Sequence, residues 1–454
     1  MESIFDIPAD LDTPVSAYLR LAPLRPRYLL ESVEGGHTGR YSFIGFGDTR
    51  TVTIEKDGVH SGGGLLDREL LPGLRKALEN APVCEPEDDA SPFGGGLVGV
   101  AAFDLVRRLY RLPANPHQPT GPDGVYITTS SILVFDHLTR RMALLHAGPE
   151  VERRRLRSEV QSALRGPLDH APAPSRHQAA TTSMNRTEYM SGVEAVKRHI
   201  EAGDVYQLVL SVRFSGETEV DPFAAYRALR LLNPSPYMYY IDTGDRQVVG
   251  SSPEALTRLN GRKAELRPIA GTRPRGATED EDQRLERELL ADPKKAAEHV
   301  MLVDLARNDV GRTASPGTVV VDPYKTIERY SHVMHMVSGV TADLRPGLDA
   351  FDLFAASFPA GTVTGAPKLR AIEIIDELEP VSRGLYSGSI GYFGHRGAMD
   401  QAITIRTMVF EDGRYDYQAG AGIVADSDPA SEHHEVLSKA AALEAALELA
   451  KEGL

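Results

Sequence analysis

Strands that come in neighbouring pairs, with helices set between the pairs, predict an α+β fold in which large antiparallel sheets are covered by helices. Three observations predict it. YITTSSILVF is followed, across DHLTRR, by MALLH, the pattern of a hairpin. Asn260-Gly261 and Asp412-Gly413 each lie between β-like runs, where tolerance of positive φ suits a tight hairpin turn. Tyr189, Val193, Val196 and Ile200 recur at intervals of four, three and four, the stripe of one amphipathic helix. No repeat of solenoid or propeller period interrupts this pattern.

In chain order, YLLESV and GRYSFIG form the first strand pair, joined by Gly35 and Gly36. Gly94, Gly96 and Gly99 have dinucleotide-fingerprint spacing, but no βαβ pattern or ribose-binding acid follows them, so that motif is set aside. Residues 165–182, RGPLDHAPAPSRHQAATT, lack periodicity and read as a linker between an N-terminal region, 1–164, and a C-terminal region, 183–454. In DVYQLVLSVRF, Tyr206, Leu208, Leu210, Val212 and Phe214 share one strand face, and Gln207, Val209, Ser211 and Arg213 the other. Asp292-Pro293 and Asp428-Pro429 each read as a cap followed by a first-turn proline.

Composition narrows the function. With 41% hydrophobic and 25% charged residues and no long apolar run, the chain reads as a soluble globular protein without a membrane span. MESIFDIPADLD lacks the basic and apolar segments of a secretory signal, so a cytoplasmic location is expected. The single cysteine, Cys84, excludes an intrachain disulfide and a cysteine-based zinc site. A net charge of −14 argues against nucleic-acid binding and requires a local cation wherever an anionic substrate is held.

Carboxylates and glycines carry the candidate chemistry. Val300, Met301, Leu302, Val303, Leu305 and Ala306 leave the helix after Asp292 almost no polar face, which predicts a buried helix and places Glu298 in a core. There it needs either an Arg or Lys partner or a metal. Glu432, Glu435 and Lys439 share one face of the last helix, whereas His433 and His434 diverge and are not read as ligands. Gly361, Thr362, Thr364 and Gly365 precede a helix with Pro367 near its first turn and offer N–H groups and hydroxyls to an anion. Gly420, Ala421 and Gly422 permit close approach of a ligand to the backbone.

These blocks, with NPSPYMYY, VGSSPEAL, RPIAGTRPRG, AEHVMLVDLARNDVGR, ERYSHVMH, FPAGTVTGAPK, AITIRT and QAGAGIVADSDP in that order, resemble the chorismate-utilising enzymes almost end to end. The resemblance implies a sandwich of antiparallel sheets covered by helices. It also implies Mg²⁺ between Glu298 and Glu435, with Glu432 nearby, binding a carboxylate of chorismate. Gly271, Thr272, Tyr386, Arg406, Lys439 and the backbone at Gly420, Ala421 and Gly422 match substrate-holding positions. Glu254 matches the general acid, His335 the histidine of pyruvate elimination, and Thr362 a threonine beside the substrate.

Gln207 stands where the water-adding members carry a lysine base, which favours ammonia as nucleophile. Ala270 replaces the nucleophilic lysine of some aminodeoxychorismate synthases and favours the anthranilate-forming branch. Thr364 and the run LYSGSIGYF lean instead towards the folate-pathway relatives, which supply the alternative reading. A catalytically inactive amino-acid-binding protein is a third reading, opposed by intact acid and metal positions. The resemblance further implies a tryptophan-binding inhibitory site at Glu31, Ser32, Pro236, Tyr237 and Met238, and a separate glutamine amidotransferase subunit, hence a hetero-oligomer. Cys84 in its acidic loop has no setting for glutamine hydrolysis.

Overall fold

The computed structural model describes residues 4–32, 39–86, 91–117, 121–168, 174–329 and 333–454; Gly35 and Gly36 lie outside them. Among the described residues the expected hairpins form with local turns. Gly124–Asp136 pairs antiparallel with Arg141–His146, Ala255–Asn260 with Lys263–Leu266, and Thr407–Glu411 with Arg414–Ile423. Gly261, Asp412 and Gly413 have φ of 59°, 49° and 73°, the left-handed backbone these turns need. Tyr28–Glu31 pairs antiparallel with Tyr41–Glu55 as the sequence predicts.

Among the described residues, pairing continues into one 21-stranded antiparallel sheet, beside a separate three-stranded sheet of Ile269–Pro274, Thr326–Arg329 and Val333–Val337. Tyr28–Glu31 also pairs with Tyr237–Asp242, and Gly96–Ala101 with Ser389–Gly394. The regions on either side of 165–182 therefore share their strands. Within that segment, Thr181–Thr182 pairs with the strand Gln207–Glu217.

Strand alternation builds the sandwich. Leu29 and Tyr240 face one core with helical residues such as Tyr189 and Leu443, and Leu97 and Ala101 face a second with Val303 and Phe354. Their strand neighbours Tyr28, Tyr239, Val98 and Val100 turn to a third core made without helical residues. That third core is the interior between the sheet faces, and the helices cover the outside.

The helix Pro293–Gly311 begins as expected, with the Asp292 carboxylate accepting from the N–H groups of Lys294 and Lys295. Its burial differs from expectation. The buried stripe is His299, Leu302, Val303, Ala306, Asp309 and Val310, while Val300 is 39% exposed. Two members of that stripe, His299 and Asp309, are polar, so apolar residues alone do not mark it. Glu298 consequently flanks the core at 31% side-chain exposure and pairs with Lys295 at 3.0 Å, one of the alternatives for a carboxylate there.

Candidate active site

Glu254 ends the turn between the strands Gln247–Ser252 and Ala255–Asn260, and its carbonyl accepts from Ile403 N at 3.0 Å. Its side chain enters a recess of about 40 Å³ lined by Leu302, Leu305, Asp309, Thr362 and Ile403. Burial pushes the Glu254 carboxyl from its ordinary 4.5 up to about 7, against the opposing pull of the Thr362 hydroxyl and the Lys439 charge. Such a volume holds a water or so and is too small for a ring substrate. Gly361 lets the Pro293–Gly311 helix close this recess, because a Cβ there would lie 1.8 Å from Leu305 Cδ2.

Lys439 ties three predicted elements together. Its ammonium donates to the Gly420 carbonyl at 2.9 Å, pairs with Glu435 at 2.8 Å and acts on Glu254. A Cβ on Gly420 would lie 2.7 Å from the Tyr386 hydroxyl and 2.9 Å from the Leu210 carbonyl, so glycine is what admits Tyr386 beside this backbone. A Cβ on Gly422 would meet Gln207 Nε2 at 2.7 Å. Gln207 is buried, and its Oε1 has no hydrogen-bond partner. Ala421 turns its methyl into the core and has only its backbone to offer. Tyr206, assigned by alternation to the packed face, lies outside the strand and is 74% exposed. Thr364 corrects another expectation: its hydroxyl donates to the Ala360 carbonyl at 2.9 Å and serves its own turn.

A second group forms on the three-stranded sheet. A bulge between Ala270 and Thr272, with Gly271 at φ 68°, sets Thr272 opposite His335, and Thr272 Oγ1 lies 3.0 Å from His335 Nδ1. Burial lowers the His335 pKa; Arg406 lowers it further, while the Gly271 backbone and Glu328 oppose the shift. His335 is therefore neutral at pH 7. Arg406 has φ 49°; its carbonyl accepts from Ser251 N at 3.1 Å and its guanidinium donates to Asn233 Oδ1 at 3.5 Å.

The carboxylates matched to Mg²⁺ lie on the Pro293–Gly311 and Pro429–Lys451 helices, whose first turns approach closely enough for Lys294 to act on Glu432. Burial raises the Glu432 pKa and Glu435 adds to the rise; Ser427, Lys439 and Lys294 oppose it. Glu298, Glu432 and Glu435 do not gather their oxygens within 4.8 Å of one another. Their chemistry fits Mg²⁺: all donors are hard oxygens, few enough to leave the ion its waters. Lysine ammonium groups already neutralise Glu298 and Glu435.

Glu31, Ser32, Pro236, Tyr237 and Met238 line one cavity of about 470 Å³. Ser32 Oγ is buried without a hydrogen-bond partner, as a ligand contact would require. The Glu31 carboxylate, which lines the same cavity, also has protein partners. It accepts from Tyr226 at 2.6 Å and pairs with Arg230 at 3.0 Å, leaving it committed to the helix Pro222–Leu232. The Tyr237 hydroxyl is likewise held, donating to Asp400 at 2.8 Å and accepting from Arg258 at 2.7 Å.

Several supporting residues escaped the sequence reading. Asp309 and Lys368 form a buried pair at 3.1 Å beside the Glu254 recess. Glu379 and Arg383, 2% and 1% exposed, pair at 2.6 Å; Glu379 also accepts from Ser211, and Arg383 stacks 5.4 Å from the Tyr386 ring centre. The spacing of four between Glu379 and Arg383 was readable, but not its burial. Desolvation pushes Tyr386 up to about 12, so its hydroxyl is protonated. Cys84 is buried and its thiol is pushed up to about 12, against a nucleophilic role. A wider cleft of about 810 Å³ carries Arg68, Arg75, Arg108, Arg312 and Arg345 but none of the matched residues, and volume alone does not make it the site. No helix among the described residues is long and apolar enough to cross a membrane.

Over nearly its whole length the chain is similar to known proteins. Residues 25–445 match the chorismate binding enzymes. The chain is 48% identical to anthranilate synthase component 1 of Thermus thermophilus, covering 98% of this chain and 97% of that protein. It is 45% identical to the protein of that name from Pseudomonas putida, covering 98% and 94%. The crystal structure of anthranilate synthase component I from Streptococcus pneumoniae TIGR4 superposes with a TM-score of 0.81 at 34% identity, over 96% of this chain and 98% of that one. The isochorismate synthase MenF of Escherichia coli, 21% identical with a TM-score of 0.73 over 96% and 92%, shares the fold. The chain belongs to the chorismate binding enzyme family.

Proposed function

We propose that this protein is component 1 of an anthranilate synthase: a Mg²⁺-dependent lyase that converts chorismate and ammonia to anthranilate and pyruvate, the committing step of tryptophan biosynthesis. The carrying observation is Glu254, a half-buried carboxyl with a pKa of about 7 facing Thr362 and Lys439. At neutral pH it holds a proton for the ring hydroxyl that leaves as ammonia adds. Gln207 presents an unpaired buried oxygen, which suits an N–H of the incoming amine and has no means of deprotonating water. Arg406, with the protonated Tyr386 and the Gly420 to Gly422 backbone, holds the dianionic substrate, and neutral His335 is available to take a proton as pyruvate departs. Bound Mg²⁺ supplies charge neutralisation to a substrate carboxylate, with Glu298 and Glu435 as ligands and Glu432 in reach. Purified protein with chorismate, Mg²⁺ and an ammonium salt at alkaline pH is expected to develop anthranilate fluorescence. Release of 4-amino-4-deoxychorismate alone would overturn the reading.

Glu298→Gln and Glu435→Gln are each expected to raise the Mg²⁺ concentration for half-maximal activity by roughly 10–100-fold. Mg²⁺ titrations unchanged in both variants would remove the two glutamates from the metal site. Because the Cys84 thiol is poorly ionised, glutamine hydrolysis is assigned to a separate amidotransferase subunit that delivers ammonia within a hetero-oligomer.

The 470 Å³ cavity suits tryptophan, with Ser32 Oγ offered to the amino acid and Met238 and Tyr237 lining the wall. Inhibition has a physical route. Residues 233–238 reach from this cavity to Asn233, which accepts from Arg406 and, through its carbonyl, from Ser251 two residues before Pro253-Glu254. A coupling of roughly 1–3 kcal/mol is expected, with chorismate weakening tryptophan by the same factor. Calorimetric titration checks it: Ser32→Leu, which fills the cavity, should abolish the binding, and equal affinity in both proteins would exclude Ser32 from the site.

A further inference from the structure

Further along the helix Pro429–Lys451, a histidine from the 165–182 segment meets two glutamates. The His177 side chain is 0% exposed, and its ring packs 4.9 Å from that of Tyr415. Its Nδ1 lies 3.3 Å from Thr218 Oγ1, whose own hydrogen is directed to the Arg176 carbonyl at 3.5 Å. In the tautomer where Nδ1 donates to this hydroxyl, Nε2 presents a bare lone pair. Nε2 has no hydrogen-bond partner, yet it faces Glu444 Oε1 at 3.6 Å. A lone pair aimed at a carboxylate is repelled unless something positive lies between them.

Glu448 adds a second negative charge one turn from Glu444 on the same face. Ligand atoms of His177, Glu444 and Glu448 all lie within 4.8 Å of one another, the one such group of three among the described residues. The remaining contacts orient them. Tyr417 donates to Glu444 Oε2 at 2.7 Å, leaving Oε1 towards the histidine, and Lys451 donates to Glu448 Oε2 at 2.8 Å. Around a zinc ion with bonds near 2.1 Å, tetrahedral ligands stand about 3.4 Å apart, close to the His177–Glu444 spacing.

We propose that His177, Glu444 and Glu448 bind one divalent transition-metal ion of the zinc class, with water completing the shell. The imidazole nitrogen selects zinc or cobalt over magnesium, which demands oxygen ligands. The ion pins residues 174–182 to the C-terminal helix, where Ser175 N already donates to the Lys451 carbonyl at 3.2 Å. This site is independent of the chorismate reading.

The test uses the full chain, stripped of metal and then held in saturating Mg²⁺ to occupy carboxylate-only sites. Zn²⁺ is titrated by calorimetry and Co²⁺ by its visible absorption. One ion per chain is expected, with the absorption of a low-coordinate cobalt site and a rise in melting temperature on binding. His177→Ala and Glu448→Gln should each weaken binding at least tenfold and abolish that rise, while Glu298→Gln should leave both unchanged. Glu448 lies at the surface, so its variant keeps the test open if His177→Ala fails to fold. No Zn²⁺ binding by the wild type, or equal affinity in wild type and Glu448→Gln, would overturn the proposal and leave a proton as the positive charge between His177 and Glu444.

Discussion

Glu254→Gln is expected to lower kcat by about 10²–10⁴-fold while chorismate affinity stays within a few-fold, because an amide keeps the shape and loses the proton. The same variant should be more stable than the wild type above neutral pH. Folding raises the Glu254 pKa from 4.5 to about 7, so between those values the folded state holds the proton more tightly than the unfolded chain. Stability is full below about 4.5, falls as pH rises through 7, and stays lower beyond. For a group that retains partial contact with solvent this amounts to roughly 1–3 kcal/mol, and Glu254→Gln removes the loss. Urea denaturation at pH 5 and pH 8 measures it: the variant should gain on the wild type only at the higher pH. A variant no more stable at pH 8, or one that retains its kcat, would contradict the assignment of Glu254 as the proton donor.

Glu379→Ala is expected to destabilise the protein by about 3–5 kcal/mol, since it strands the Arg383 guanidinium where almost no solvent reaches. Arg383 donates to the carbonyls of Val363 and Val209 as well as to Glu379, so the lost carboxylate disturbs the turn that carries Thr362 and the strand that carries Gln207. Activity should fall with stability, through displacement of Tyr386. Replacing both members by methionine should recover much of the stability but not the activity, because an apolar pair needs no compensating charge and no longer orients the Tyr386 ring. Parallel denaturant melts of the single and double variants separate the two effects; equal stability of Glu379→Ala and wild type would show that the pair carries no net weight.

Legibility in the sequence tracked the range of the interaction involved. Hairpins at Asn260-Gly261 and Asp412-Gly413, and caps at Asp292 and Asp428, were readable because a few neighbouring residues determine them. The matched site residues were legible as blocks, and the structure brings Glu254, Thr362, Lys439, Gly420 and Tyr386 together from distant strands and helices. Environment was not legible. The consecutive apolar residues after Glu298 point it into a core, whereas the buried stripe runs through His299 and Asp309. Glu31 lines its cavity, but its partners, Tyr226 and Arg230, lie on a helix remote in sequence. The elevated pKa of Glu254 depends on surroundings that no local pattern encodes.

The pairing of Gly96–Ala101 with Ser389–Gly394 sets a temporal order on the chain as it is made. The first strand emerges from the ribosome with Gly124–Asp136 to pair with on one side, while its other side must wait until nearly all remaining residues have been synthesised. Until then the nascent protein presents an unpaired row of amides and carbonyls beside apolar residues, the arrangement that recruits other strands. Closure by so distant a partner is slow, because the entropy of a very long loop is spent before any contact rewards it. Folding yield, more than the stability of the finished enzyme, should therefore depend on chaperone supply and on the rate of translation.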